Sequence, residues 1–237
     1  MRLHLMKAEK IPRKTVRRLA MYLQVLEELR RTHVEIASSE HLAEACGANA
    51  HQVRKDLTYF GEFGIRGVGY RVEVLADLLR QALGIDRLWN VALVGSGLLC
   101  RAVLGHEGYR KMGFKIVSVF DFDATVVGQT LEGLEVQPAA RLPELAPAMG
   151  VEIGIISTSP ELAQTAANLL VQAGVRAIVN FTPAVLRAPP HVIVEPADLS
   201  LALLAASFDI TREHMFRAQE AEAVPPPRNG EDFPPPR

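Results

Sequence analysis

The 237-residue sequence predicts an α/β protein with a small helical head and a larger body built on a parallel sheet. Three observations predict it. Residues 14–57 place apolar side chains at helical spacing between turn signals, and from residue 90 short β-rich runs alternate with helical segments. The formal charge of −1 also divides unevenly, +4 over residues 1–80 and −5 over 81–237. With 49% apolar and 22% charged residues, the chain is neither collagen-like, wholly disordered nor a disulfide scaffold. Cys46 and Cys100 are too few for a zinc site unaided and suit a reducing compartment. No apolar run reaches the roughly 18 residues of a membrane span, and Met1 to Lys10 lacks a signal-peptide core, so a cytoplasmic protein is expected.

In the head, Val16, Leu19, Ala20, Leu23, Leu26 and Leu29 define an amphipathic helix over 14–30. Ser38 or Ser39 caps a short second helix that runs to Cys46 and ends at Gly47. Asn49 starts a third helix, with Gln52 placed as in a capping box. Two short helices around a glycine-containing turn have helix-turn-helix spacing. Val53, Leu57 and Phe60 form the inner face of the third helix, leaving His51, Arg54, Lys55 and Thr58 outside. Four glycines between Gly61 and Gly69, followed by Tyr70-Arg71-Val72, suit a β-loop or wing; residues 73–83 read as helix, and 84–89 as a linker.

In the body, strands are expected at 90–94, 115–121, 151–156, 175–180 and 191–195, with helices near 98–105, 141–148, 161–173 and 197–218. The first strand runs into Gly95-Ser96-Gly97-Leu98-Leu99-Cys100, a GxG turn between strand and helix as a dinucleotide fingerprint requires. Gly95 permits the turn, Gly97 lets a pyrophosphate approach the helix N-terminus, and Cys100 stands where the third glycine belongs. Asp121, ending the next strand, is placed to accept from a ribose hydroxyl, favouring NAD over its 2′-phosphorylated form. The competing reading is a structural glycine turn with a loop-capping aspartate. Thr158, Ser159 and Pro160 would line the same crevice at the carboxyl ends of the strands, but locally Ser159 as N-cap and Pro160 at N1 read first as plain capping.

None of the seven histidines has recognised nucleophile or metal spacing, and His191 and His214, the C-terminal candidates for acid–base chemistry, read as surface residues. Neither a catalytic residue nor a metal is therefore expected. The run Leu199 to Phe208 is apolar around its circumference, so both sides need cover, from a second subunit or from the chain itself. The outward face of the third helix is the other functional candidate: Arg54 to guanine, Gln52 to adenine, and Lys55 or Arg66 to phosphates, with a basic N-terminal arm that includes Arg13 and Lys14. A protein-interaction module with solvated charges is the alternative. The last fifteen residues hold six of the fifteen prolines and read as a disordered tail.

Gln52-Val53-Arg54-Lys55-Asp56-Leu57-Thr58-Tyr59-Phe60-Gly61, then Gly64 and Arg66-Gly67-Val68-Gly69-Tyr70, resemble the Rex family of redox-sensing transcriptional repressors. Ser38-Ser39, Leu42-Ala43, and Asn180-Phe181 with Pro183 extend the resemblance over roughly residues 12–215. It implies a homodimer with winged-helix heads (1–83), Rossmann-type NADH- and NAD-binding domains (84–196) and a domain-swapped C-terminal helix (197–218), which leaves the proline-rich tail at 219–237. It also implies a palindromic double-stranded operator released when NADH binds. By this resemblance Ser39, His51, Tyr59 and Gly67 join the DNA face, and Leu98, Leu99 and Asn180 the cofactor pocket. Three positions depart from the pattern. Cys100 replaces a glycine, and Gln24 and His106 stand for an arginine and a tyrosine that engage an aspartate, kept as Asp198. The coupling is then weakened, or routed through His106 with a pH dependence. A small NAD-dependent oxidoreductase with an accessory head is the competing function.

Overall fold

The computed structural model describes residues 11–61, 64–65, 67–106, 108–197 and 199–223, without the side chains of 216–223. Arg66 and Asp198, for which roles are expected, and the proline-rich tail beyond residue 223 lie outside the described residues. The chain forms two compact units: residues 1–90 with 105–116, and 91–104 with 117–237. The linear boundary expected after residue 83 therefore differs from the observed division. Residues 84–90 stay with the first unit, and 105–116 return to it.

In the first unit, α1 (Arg13–Arg31) buries Leu19, Tyr22, Leu23, Leu26 and Leu29 along one stripe. α2 (Ser39–Ala45) is capped by Ser38, whose hydroxyl accepts from His41 N–H at 3.1 Å. Gly47 leaves α2 at φ 60°, a left-handed turn that glycine adopts without strain. α3 (Ala50–Leu57) starts at Asn49, whose side chain accepts from Gln52 N–H at 2.8 Å. The expected capping box does not close, because the Gln52 amide turns to Asp56 instead. Strands β1 (Ile36–Ala37) and β2 (Tyr70–Arg71) pair antiparallel, and an Ile65–Gly69 bridge forms the wing before α4 (Val72–Ala82). Tyr22, Leu26, Leu42, Val53, Leu75 and Leu79 belong to its core. Trp89 N–H donates to Gly113 carbonyl at 2.8 Å, and Arg87 lies 3.5 Å over the Trp89 ring, which anchors the returning segment to 84–89.

The second unit is organised by a seven-stranded sheet. From residue 89 onward the elements are β3 (Trp89–Val94), α5 (Leu98–Leu104), α6 (Gly108–Lys111, in the segment that returns to the first unit), β4 (Phe114–Asp121), β5 (Thr130–Leu131), β6 (Leu134–Pro138), α7 (Leu142–Ala148), β7 (Val151–Ile156), α8 (Pro160–Gln172), β8 (Ala177–Asn180), β9 (Ile193–Pro196) and α9 (Leu199–Ala223). Strand order is β5-β6-β4-β3-β7-β8-β9; β4–β6, β7–β8 and β8–β9 are parallel, and β5–β6 is an antiparallel hairpin. Without β5 this is the doubly wound order 3-2-1-4-5-6, whose direction of winding reverses between β3 and β7. Phe120, Leu142, Ile156, Leu170 and Ile178 belong to the core of this unit. The hairpin β5–β6 and the short α6 were not foreseen, being too brief to show a period. α9 runs five residues past the expected end at 218. Its large apolar side chains, expected to need cover on both sides, are 54–72% exposed in the single chain.

Candidate nucleic-acid interface and dinucleotide crevice

α3 presents His51, Arg54, Lys55 and Thr58 outward, while Val53 and Leu57 anchor it. Tyr59 is half-buried just past the helix end, and Gly67 turns the wing at φ 77°. Arg13 and Lys14 are exposed in the first turn of α1. Between α2, α3 and the wing lies a cleft of about 560 Å³, lined by Ser39, Glu40, Arg54, Thr58, Gly67 and Tyr70 among others. Ser39 is buried, and its hydroxyl accepts from Arg54 Nη1 at 2.8 Å; Glu40 Oε1 lies 3.4 Å from the same nitrogen. Ser39 thus acts on Arg54, and Glu40, which sequence reading overlooked, shares that guanidinium. Thr58 Oγ1 donates to the Lys55 carbonyl at 2.7 Å.

Sequence reading also overlooked Asp56. It accepts from Arg18 Nε at 2.6 Å and Nη2 at 2.8 Å, from Tyr22 Oη at 3.0 Å, from Thr15 Oγ1 at 3.3 Å and from Gln52 Nε2 at 2.8 Å. Burial works to push the carboxyl up, but the bonds from Arg18, Gln52 and Tyr22 hold it below the usual carboxylate range. Burial and the bond to Asp56 push the Tyr22 phenol up. The available signal was an acid on the apolar Val53–Leu57 side of a helix, which needs partners when buried.

At the switch point, β3 ends in the Gly95 turn. Gly95 has φ 103°, and a Cβ there would sit 2.7 Å from the Ser157 carbonyl oxygen, so only glycine fits between the ends of β3 and β7. A Cβ on Gly97 would meet nothing within 4 Å, so this residue borders open space. Asp121 Oδ2 accepts from Ser96 N–H and Ser96 Oγ, both at 2.6 Å, and its Oδ1 accepts from Asp123 N–H at 3.0 Å. Burial raises that carboxyl, but these bonds to Ser96 and the following backbone hold it low and ionised. A cavity of about 450 Å³ is lined by Ser96, Gly97, Leu98, Arg101, Asp121, Asp123 and Val126. Arg101, Asp123 and Val126 carry no motif and were not foreseen. The residues fit a dinucleotide: a glycine-flanked turn, open at Gly97, at a helix start, and a carboxylate at the end of the adjoining strand.

The other expected pocket residues divide. Leu98 is 86% exposed at the turn, whereas Cys100 is fully buried with its thiol pushed up to about 11 by burial. Thr158 backbone reaches the Gly95 turn, and Pro160 opens α8 after Ser159, whose hydroxyl makes no capping bond. Asn180, expected at the cofactor pocket, uses its amide within its own loop. It is buried, donating to the Ala184 carbonyl at 2.7 Å and accepting from Thr182 N–H and Oγ1, so its amide shapes the loop after β8. His191 and His214 are exposed, and neither lines the cavity. Among the described residues no group of three or more metal-ligating side chains gathers, and no helix is long and apolar enough to cross a membrane.

Two family models match: "Putative DNA-binding protein N-terminus" over residues 10–58 and "CoA binding domain" over residues 86–184. The redox-sensing transcriptional repressor Rex of Solidesulfovibrio magneticus is 48% identical over 206 residues, 87% of this chain and 94% of that protein. Its counterpart in Maridesulfovibrio salexigens is 49% identical over 210 residues, 87% of this chain and 99% of that one. The solved structure of RSP with β-NAD+ and operator DNA matches with a TM-score of 0.80 at 34% identity, covering 90% of this chain and 99% of that one. RSP with β-NADH gives 0.79 at 33% identity, covering 89% and 99%.

Proposed function

This chain belongs to the Rex family of redox-sensing transcriptional repressors, and on that premise we propose that it holds operator DNA until NADH occupies its crevice. The observation that carries the reading is the presence, in one chain, of an outward basic α3 beside a wing and a Gly95–Gly97 cradle with Asp121 at the sheet's switch point. In this reading Arg54, Lys55 and Gln52 contact base edges, and Arg13, Lys14 and Arg66 anchor phosphates. Ser39 orients Arg54, and His51, Thr58, Tyr59 and Gly67 complete the face. In the crevice, Gly95, Ser96 and Gly97 hold the pyrophosphate of NADH or NAD, and Asp121 accepts from a ribose hydroxyl. Leu98, Leu99, Cys100 and the Thr158–Pro160 turn shape the walls.

The functional unit is a homodimer in the cytoplasm, reading a palindromic operator, in which α9 is swapped with the partner copy. The long exposed apolar surface of α9 supports it, since monomers rarely leave such a patch uncovered. Redox sensing comes from the reduced nicotinamide, when bound, lowering the fit of the two heads to the two half-sites. An oxidoreductase reading lacks support, as the similar proteins named above are repressors and the histidine candidates lie away from the cavity. The deciding experiment titrates operator DNA at fixed salt without ligand, with NAD and with NADH. Weaker binding with NADH alone is expected; identical affinities in all three states would reject the sensor.

A further inference from the structure

We propose that Asp56 is a positioning residue for operator recognition: by capturing the amide nitrogen of Gln52, it fixes which edge of that amide α3 presents to a base pair. The inference rests on the DNA-binding reading above. Asp56 lies on the inner side of α3 with a side chain only 1% exposed, and five hydrogen bonds converge on its two oxygens. Three of the four donor residues, Thr15, Arg18 and Tyr22, lie on α1, so a bidentate guanidinium–carboxylate pair pins α3 against α1. Gln52 is the fourth. It is half-buried, one turn before Asp56, near the N-terminal end of α3, from which residues of a helix-turn-helix reach bases.

The two ends of a glutamine amide are alike in shape and opposite in hydrogen bonding. An ionised carboxylate only accepts, so an amide oxygen turned towards Asp56 would set two acceptors face to face. The nitrogen therefore points inward, and one N–H is spent on Asp56 at 2.8 Å. Oε1, which accepts no hydrogen bond among the described residues, remains with the second N–H. One acceptor beside one donor is the complement of the N6 amine and N7 of adenine; guanine offers two acceptors at those positions and is refused by the oxygen. Asp56 thus makes an ambidextrous side chain selective.

The test compares the full-length wild type, Asp56→Asn, Gln52→Met and the double variant on duplexes varied one position at a time across the half-site. Salt is fixed, and each protein is first melted to check its fold. The asparagine keeps the volume but lets the Gln52 amide turn over. The wild type is expected to prefer A·T at one position by about ten-fold or more. Each single variant should lose that preference there alone, and the double variant should lose no more than Gln52→Met. Uniform weakening on every duplex by Asp56→Asn, with the A·T preference intact, overturns the proposal, as does an additive double variant. Should Asp56→Asn not fold, Gln52→Met decides alone: unchanged base preference at every position overturns it. A wild type without any sequence preference overturns the DNA-binding reading and this proposal with it.

Discussion

Adding a single side chain at Gly95 or at Gly97 separates folding from coenzyme binding. At Gly95, alanine must adopt φ 103° with its methyl 2.7 Å from the Ser157 carbonyl oxygen and 2.8 Å from its carbon. Both contacts are with backbone, so the end of β7 has to move. The dihedral strain costs about 1–3 kcal/mol and the overpacking a similar amount, roughly 2–6 kcal/mol together. At about 2–4 °C per kcal/mol for a chain of this size, Gly95→Ala should melt roughly 4–24 °C below wild type. Valine at Gly97 meets nothing within 4 Å at its Cβ, and the ligand-free melting point should stay within about 2 °C. On the proposed crevice assignment it fills the pyrophosphate approach instead, and losing charge-assisted contacts of about 1.5–3 kcal/mol should weaken NADH binding roughly ten- to hundred-fold. Circular-dichroism melts and a titration of NADH fluorescence measure both effects. Equal destabilisation by the two variants, or wild-type NADH affinity in Gly97→Val, would refute the reasoning.

The remaining predictions concern the head and the thiols. Arg54→Ala should weaken operator binding by about 1–3 kcal/mol at matched salt, and unchanged affinity would remove Arg54 from the face. Glu40→Gln frees Arg54 from its acid at 3.4 Å and should raise operator affinity a few-fold in the same titration; weaker binding would count against it. Because Asp56 is held below the usual carboxylate range when folded, its contribution is present above the unfolded value of about 3.9 and fades as pH falls through the folded one. Melting points recorded from pH 6 to pH 3 should therefore drop more steeply for wild type than for Asp56→Asn; parallel curves reject this. Half-buried Cys46 should react with a maleimide before Cys100, whose buried thiol is raised to about 11; mass spectrometry of the native protein reads the order.

Much of this was legible wherever a period or a turn residue repeats. The Leu19–Leu23–Leu26 stripe, the Ser38 and Asn49 caps and the strand leading to Gly95 each follow from local rules, and each element formed within a few residues of its expected place. Residues coupled across the chain were opaque. Asp56 meets Arg18, 38 positions earlier, and nothing local announces that pairing. Asn180 carried a motif, yet its amide closes its own loop, because a buried amide is satisfied first by the nearest backbone. The return of residues 105–116 to the first unit depends on Gly113 accepting from Trp89, a long-range bond without a sequence period.

On the crevice assignment proposed above, Asp121 and the Gly95–Gly97 turn would face chemical groups common to both oxidation states of the coenzyme, a ribose and a pyrophosphate. Whatever strength they lend is lent equally to NAD and NADH. Altering them moves the total coenzyme level at which the crevice fills while leaving the midpoint ratio where it was. That midpoint is set by side chains bordering the nicotinamide ring, the part on which the two forms differ. Sensitivity to pool size and sensitivity to redox poise are thereby adjustable one at a time.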